Sequence, residues 1–286
     1  MPSLSVVEQI ASLPKTDRDE ILAGLTDEQA EELLYDWRGF TARPDQIAPD
    51  GDWDIWLALA GRGWGKTRTG AEWVRERVNA GAKRIALIAE TQKDLEEVMV
   101  GGESGILSVF PPSERPTVRF KPVRLTFPNG AIALGYNATE PGQLRGPQFD
   151  TAWCDELAKW RYARETWDML QFGMRLGDPK VMVTTTPTPT ELVKALVAGQ
   201  EGKVQITKGS TFDNASNLPE KFLTKIRSRY EGTRLGRQEL YAEILGDLPG
   251  ALWSMSRWTP TERKPPIATA SLWLLTRRHR TTLTVT

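Results

Sequence analysis

Residues 60–67 read Ala-Gly-Arg-Gly-Trp-Gly-Lys-Thr, a spacing suited to binding phosphate. Gly61, Gly63 and Gly65 let the backbone curl so that successive N–H groups turn inward and cradle phosphate oxygens. Arg62 and Trp64 lie between those glycines, and the whole loop from Gly61 to Thr67 is expected to contact a nucleotide. Lys66 can reach the β- and γ-phosphates, and the Thr67 hydroxyl can ligate Mg²⁺. The helix predicted from Arg68 to about Asn79 presents its positive N-terminus to the same anion. The usual first glycine is replaced by Ala60, which is acceptable only if that position needs no positive φ. A chance glycine turn holding Lys-Thr is the bland alternative; a strand before and a helix after argue against it.

A second constellation is the run Phe149-Asp-Thr-Ala-Trp-Cys-Asp155-Glu156, an apolar strand that ends in adjacent carboxylates. Strand ends in α/β sheets face the ligand crevice, so both acids should emerge beside the phosphates. Asp155 then suits a Mg²⁺ site, usually through water, while Glu156 suits the orienting and polarising of an attacking water. An acidic helix start is the ordinary alternative, since Asp and Glu favour that position. Behind a phosphate loop, the pair points to hydrolysis. A kinase of this class has less need of a water-activating Glu directly after its metal Asp. Thr184, Thr185 and Thr186 end another apolar strand ahead of Pro187. Their hydroxyls can sense the γ-phosphate, although β-branched threonines also simply suit a strand.

The elements that must position these groups follow from periodicity. Residues 1–40 read as short helices, with Thr26-Asp-Glu-Gln as a helix start running to Trp37, and 42–54 as a loop rich in Pro, Asp and Gly. Strands are predicted at 55–60, 84–89, 149–154 and 180–185, with helices near 93–100 and 162–176. Residues 117–127 and 131–136 alternate around Pro128-Asn129-Gly130 and read as a β-hairpin. Strands alternating with helices argue for an α/β fold with a mostly parallel sheet. Beyond Phe212 two helices, 218–230 and 234–245, form a small helical lid.

Composition bounds the class. With 286 residues, 40% hydrophobic and 26% charged, the chain can bury one sizeable core of ordinary character. Lys+Arg and Asp+Glu are both 37, so no global attraction to nucleic acid is encoded, though a local basic track is compatible. The single cysteine, Cys154, forbids an intrachain disulfide and fits a reducing cytoplasm. No membrane-spanning run or signal peptide is visible.

Together these residues resemble the large subunit of terminases of the tailed-phage and gene-transfer-agent type. The resemblance runs from about Trp37 to Trp253 and rests on ARPDQ, GRGWGKTRTGAEWV, LRGPQFDTAWCDELAKW, VTTTP and YEGTRLGRQELYAEILGDLPGALW. It implies a RecA-like, additional-strand P-loop ATPase that uses ATP and Mg²⁺ to drive double-stranded DNA into a procapsid. A portal protein, a small terminase subunit and self-assembly into a ring on the portal are the implied partners, in the cytoplasm of a bacterial host. It implies catalytic roles for Lys66, Glu156 and Arg145, the last acting in trans on a neighbour's nucleotide. It further implies metal binding by Thr67 and Asp155, coupling of hydrolysis to movement by Thr184 to Thr186, and adenine reading by Gln46.

The expected division is a helical segment and adenine-side loop over 1–45, an ATPase core over 46–212, a lid or linker over 213–253 and an atypical tail over 254–286. Relatives of this kind continue into an RNase H-like nuclease, which the tail does not resemble. It holds one acidic residue, Glu262, and the sole histidine, His279. A shifted reading of the codons from Ala268 to Thr276 permits an apolar strand ending in Asp, so the tail is read as out of frame, and cutting activity is not expected. Two rivals remain on sequence alone. One is a helicase-like nucleic-acid ATPase, which would need a second RecA-like domain. The other is a truncated prophage remnant that binds nucleotide without turnover.

Overall fold

The run Ile55-Trp-Leu-Ala-Leu-Ala60 offers no polar side chain to solvent, so a strand made from it must be covered on both faces. It forms β1 (Ile55–Ala60), buried at every position. The structure, a computed structural model, describes residues 6–245, which fall within one compact unit. The tail expected over 254–286 lies outside the described residues.

Three short helices precede β1: α1 (Val6–Ala11), α2 (Lys15–Ala23) and α3 (Asp27–Tyr35). Thr26 and Gln29 close a reciprocal capping box at the start of α3. A π-helical turn, Trp37–Thr41, follows. After β1 come α4 (Lys66–Asn79) and β2 (Arg84–Ala89). Next are α5 (Gln92–Asp94), running into a second π-helical turn at Leu95–Val100, and α6 (Ile106–Val109). The strands β3 (Thr117–Phe120), β4 (Val123–Thr126), β5 (Ile132–Asn137) and β6 (Thr151–Asp155) follow. Then come α7 (Ala163–Gly173), β7 (Lys180–Thr185), α8 (Glu191–Val197) and β8 (Val204–Gly209). The helices α9 (Glu220–Tyr230) and α10 (Arg234–Glu239) complete the described chain.

All eight strands join one sheet in the order β3-β4-β5-β2-β6-β7-β1-β8. The six from β5 to β8 in that order run parallel, and β3 and β4 extend the edge antiparallel. Side chains alternate between two cores, as the strand period demands. Ile55, Leu57 and Leu59 face the core that holds Trp167 of α7 and Leu192 of α8. Trp56 and Ala58 face the other, with Trp73 and Val74 of α4.

Three expectations change. The arm expected over 117–127 is two strands, because Pro122 supplies no N–H to a continuous ladder; Pro128-Asn129-Gly130 then joins β4 to β5. The strand expected at 149–154 starts at Thr151 and reaches Asp155, with Phe149 making only a bridge to Met174. The elements α8 and β8 are additions. Strand β8 is a half-solvated edge, and its Val-Gln-Ile-Thr-Lys-Gly composition lacks the apolar run that marks β1.

Helix α4 lies against the sheet through Gly70, where an added Cβ would sit 2.1 Å from the ring of Trp153, itself fully buried. Alanine favours a helix by about 1 kcal/mol over glycine, but overpacking a closed core costs about 1–3 kcal/mol or more. The clash should win. Gly70→Ala is expected to lower the melting temperature by several degrees, and an equal or higher melting temperature would contradict this packing.

Candidate functional site

Strand β1 ends at Ala60, and the chain then curls into α4. Gly63 and Gly65 both hold positive φ, at 77° and 106°, a conformation that a side chain would strain. Ala60 is not among the positive-φ residues, so the missing first glycine costs nothing. Gly61 is required for a different reason: a Cβ there would meet the Leu240 and Glu239 carbonyls at 2.7 and 2.8 Å.

The loop is braced from beneath. Trp64 is fully buried, donates its indole N–H to Asp45 at 3.1 Å and packs where Gly209 has no side chain. Arg43 is also buried; it donates to the Trp64 carbonyl at 2.6 Å and to Asn214 at 2.7 Å, while Asn214 donates to the Gly63 carbonyl at 2.6 Å. Gln46 belongs to this bracing and not to the cleft, a departure from the adenine-reading role expected of it. Its amide donates to Thr69 at 3.2 Å and reaches the Trp64 carbonyl at 3.5 Å, and its carbonyl accepts from the Arg43 N–H. It is buried under Gly65, whose Cβ would stand 2.7 Å from its nitrogen.

Above the loop lies a cleft of about 700 Å³, bordered by Arg62, Lys66, Thr67, Glu156 and Thr186. Lys66 donates to the Ala60 and Gly61 carbonyls at 3.0 and 3.2 Å and stands 3.5 Å from a Glu156 oxygen. Glu156 sits at the sharp end of β6 with φ of 48°, rare for a residue with a side chain and typical of functional positions. Its other oxygen accepts from the Thr186 hydroxyl at 2.9 Å. Burial acts to raise the Glu156 carboxyl, but Lys66, Lys159 and the Thr186 hydrogen bonds outweigh it, and its pKa falls below the ordinary value. It is therefore ionised at neutral pH and able to accept a proton.

Asp155 is buried and receives the Thr184 hydroxyl at 2.7 Å, while Thr184 accepts the indole N–H of Trp153 at 2.9 Å. Burial pushes its carboxyl up to about 6, with the Thr184 hydrogen bond opposing and Glu156 adding to the rise. With Thr67 and Glu156 it borders a small cavity of about 150 Å³. One carboxylate and one hydroxyl form a donor set that fits Mg²⁺, which takes few protein ligands and completes its shell with phosphates and waters. Thr185 accepts from the Ala158 N–H at 3.0 Å. The three threonines thus touch both acids and the turn behind them. Arg145 stands apart, exposed after the turn Pro141–Leu144 and outside the cleft.

Sequence reasoning missed Arg43, Asn214 and Lys159. Arg43 sits in the ARPDQ segment, but nothing in its type foretells burial beneath the loop. The other two carry no local signal.

A glycine loop opening α4, with β7 inserted between the loop strand β1 and the acid strand β6, defines a RecA-like P-loop NTPase of the additional-strand type. Residues 57–259 match the family described as "Terminase large subunit, T4likevirus-type, N-terminal". The chain belongs to that family. It is similar to the large terminase ATPase domain of Thermus phage P74-26, at 17% identity and a TM-score of 0.56 over 77% of this chain and 98% of that one. It is also similar to the full large terminase of a second thermophilic bacteriophage, at 14% identity and a TM-score of 0.55 over 77% of this chain and 53% of that one. The same large terminase in complex with ADP matches at 14% identity and a TM-score of 0.56, over 77% of this chain and 54% of that one. The chain therefore spans about half of that second protein, and likeness at these identities speaks to the fold alone. No curated protein sequence matches the chain significantly.

The grip of Thr186 on Glu156 is testable. Removing a hydrogen bond to a charged group costs about 1.5–3 kcal/mol, or roughly ten- to a hundredfold in rate if it serves only the transition state. Thr186→Val should lower the kcat of nucleotide hydrolysis by that factor with little change in KM, and Thr186→Ser should restore it. A rise in KM at constant kcat would assign Thr186 to binding instead.

Proposed function

We propose that this chain is the ATP-hydrolysing motor part of a DNA-packaging terminase. The observation that carries the reading is the position of Glu156, ionised, gripped by Thr186 and 3.5 Å from the loop lysine. A carboxylate so held accepts a proton from water as that water attacks the γ-phosphorus. The bond from that phosphorus to the β,γ-bridging oxygen breaks, and ADP and inorganic phosphate leave. Lys66 and the loop N–H groups stabilise the charge that develops on the phosphate oxygens. Thr67 and Asp155 would hold Mg²⁺, which neutralises charge on the β- and γ-phosphate oxygens. Crystals of the second phage's large terminase with ADP and with ATP-γ-S support a nucleotide as ligand.

Thr184 and Thr186 lie on one strand end and touch Asp155 and Glu156 respectively. Loss of the γ-phosphate would change what those acids hold and so pull on the end of β7, which suits the threonines to coupling. Family membership supports double-stranded DNA as the moved substrate, with the portal, a small terminase subunit and a ring of copies as the setting in the bacterial cytoplasm. Among the described residues no helix is long and apolar enough to cross a membrane. Exposed Arg145 would serve a neighbouring subunit's cleft in that ring, where the γ-phosphoryl group calls for a cation beyond Lys66. The organisation into an N-terminal segment over 1–45, a core over 46–212 and a lid over 213–253 is part of the same proposal.

Steady-state ATP hydrolysis with Mg²⁺ across protein concentration tests this reading. Specific activity should rise with concentration, and Arg145→Ala should lower it by about 10³-fold or more while ATP binding persists. Full activity of Arg145→Ala in assembled protein would remove the trans role. Zero turnover despite ATP binding under all assembly conditions would favour the remnant.

A further inference from the structure

The cleft has two unlike ends. Around Glu156 it is charged, with Lys159, Glu97 and Glu103 nearby, which suits phosphate, metal and water. At the other end the loop residue Arg62 and Phe222 of α9 border both this cleft and a second cavity of about 300 Å³. The second cavity is walled by Ile226 and Tyr230 of α9 and by Leu235 and Leu240 on the α10 side. Phe222 is 38% and Leu235 52% exposed, a cost in apolar surface that an enclosed ligand would recover.

This apolar cavity is welded to the phosphate loop. The Arg62 N–H donates to the Glu239 carbonyl at 2.9 Å, the Thr211 N–H to the Leu240 carbonyl at 2.7 Å and the Thr211 hydroxyl to the Arg62 carbonyl at 2.7 Å. The Arg62 side chain also pairs with the Glu239 carboxylate at 3.0 Å. The end of α10 is therefore fixed against the start of the loop. A nucleotide laid with its γ-phosphate toward Glu156 must point its base the opposite way, toward Phe222. The Gln46 side chain offers no rival seat, since its polar atoms are spent beneath the loop.

We infer that the cavity between α9 and α10 is the nucleobase subsite, where a purine ring stacks on Phe222 and is enclosed by Tyr230 and Leu235. The inference rests on the nucleotide reading above and deepens it. The lid then does two jobs: it closes the loop through the Arg62 contacts and selects a ligand that carries an aromatic base.

Calorimetric titration with Mg²⁺ of ATP and of inorganic tripolyphosphate separates the base from the phosphates. Phe222→Ala should weaken ATP about ten- to a hundredfold, the range for loss of one base–aromatic stack, and leave tripolyphosphate unchanged. Leu235→Trp, at a largely exposed position, should fill the cavity and give the same split, which guards against misfolding of the first variant. ATP affinity unchanged in both variants would overturn the subsite while leaving the phosphate site intact. A wild-type protein that binds neither ligand would overturn the nucleotide reading itself, and this inference with it.

Discussion

The site depends on one strand, β7, lying between the strand that carries the phosphate loop and the strand that carries the acids. Strands in a sheet stand about 4.8 Å apart, so β1 and β6 are about 10 Å apart, too far for loop and acids to meet directly. The gap is spanned from both sides. Lys66 reaches across to Glu156, and the end of β7 offers Thr184 to Asp155 and Thr186 to Glu156. Register sets this arrangement, because Thr184 pairs with Asp155 on one side and with Ala58 on the other. A one-residue slip of β7 would turn its hydroxyls to the wrong faces.

The loop itself is held by groups that never meet its ligand. Arg43, Gln46 and Trp64 satisfy buried carbonyls and one another beneath the glycines, and Asn214 ties the same layer to the chain after β8. Buried polar groups are retained only when they are paired, and here the pairing fixes the curl of the loop. Fixed loop N–H groups need no reorganisation when charge develops on a phosphoryl group. The lid is tied to the other side of the loop by backbone hydrogen bonds, so the two ends of the cleft move as one piece.

Much of this was legible in the sequence, for identifiable reasons. The glycine loop, the Asp-Glu pair and the Thr-Thr-Thr strand end are local patterns whose chemistry demands specific residue types in order. Strands β1, β2 and β7 are continuous apolar runs, which only a doubly covered sheet explains. Gln46 was misplaced because a glutamine in a loop carries no sign of which way it faces; the burial of Arg43 and Trp64 decides it. Strand β8 was missed because an edge strand keeps polar residues on its open side. Phe222 and Leu235 were hidden among apolar residues of amphipathic helices, which look alike whether they fill a core or border a ligand cavity.

The central claim is that Glu156 takes the proton from the attacking water. Single-turnover hydrolysis by Glu156→Gln, measured beside ATP binding, tests it most directly. The account predicts that binding persists while the hydrolysis rate falls about 10²–10⁴-fold, the range for loss of a general base. A variant that binds ATP and hydrolyses it at the wild-type rate would contradict it.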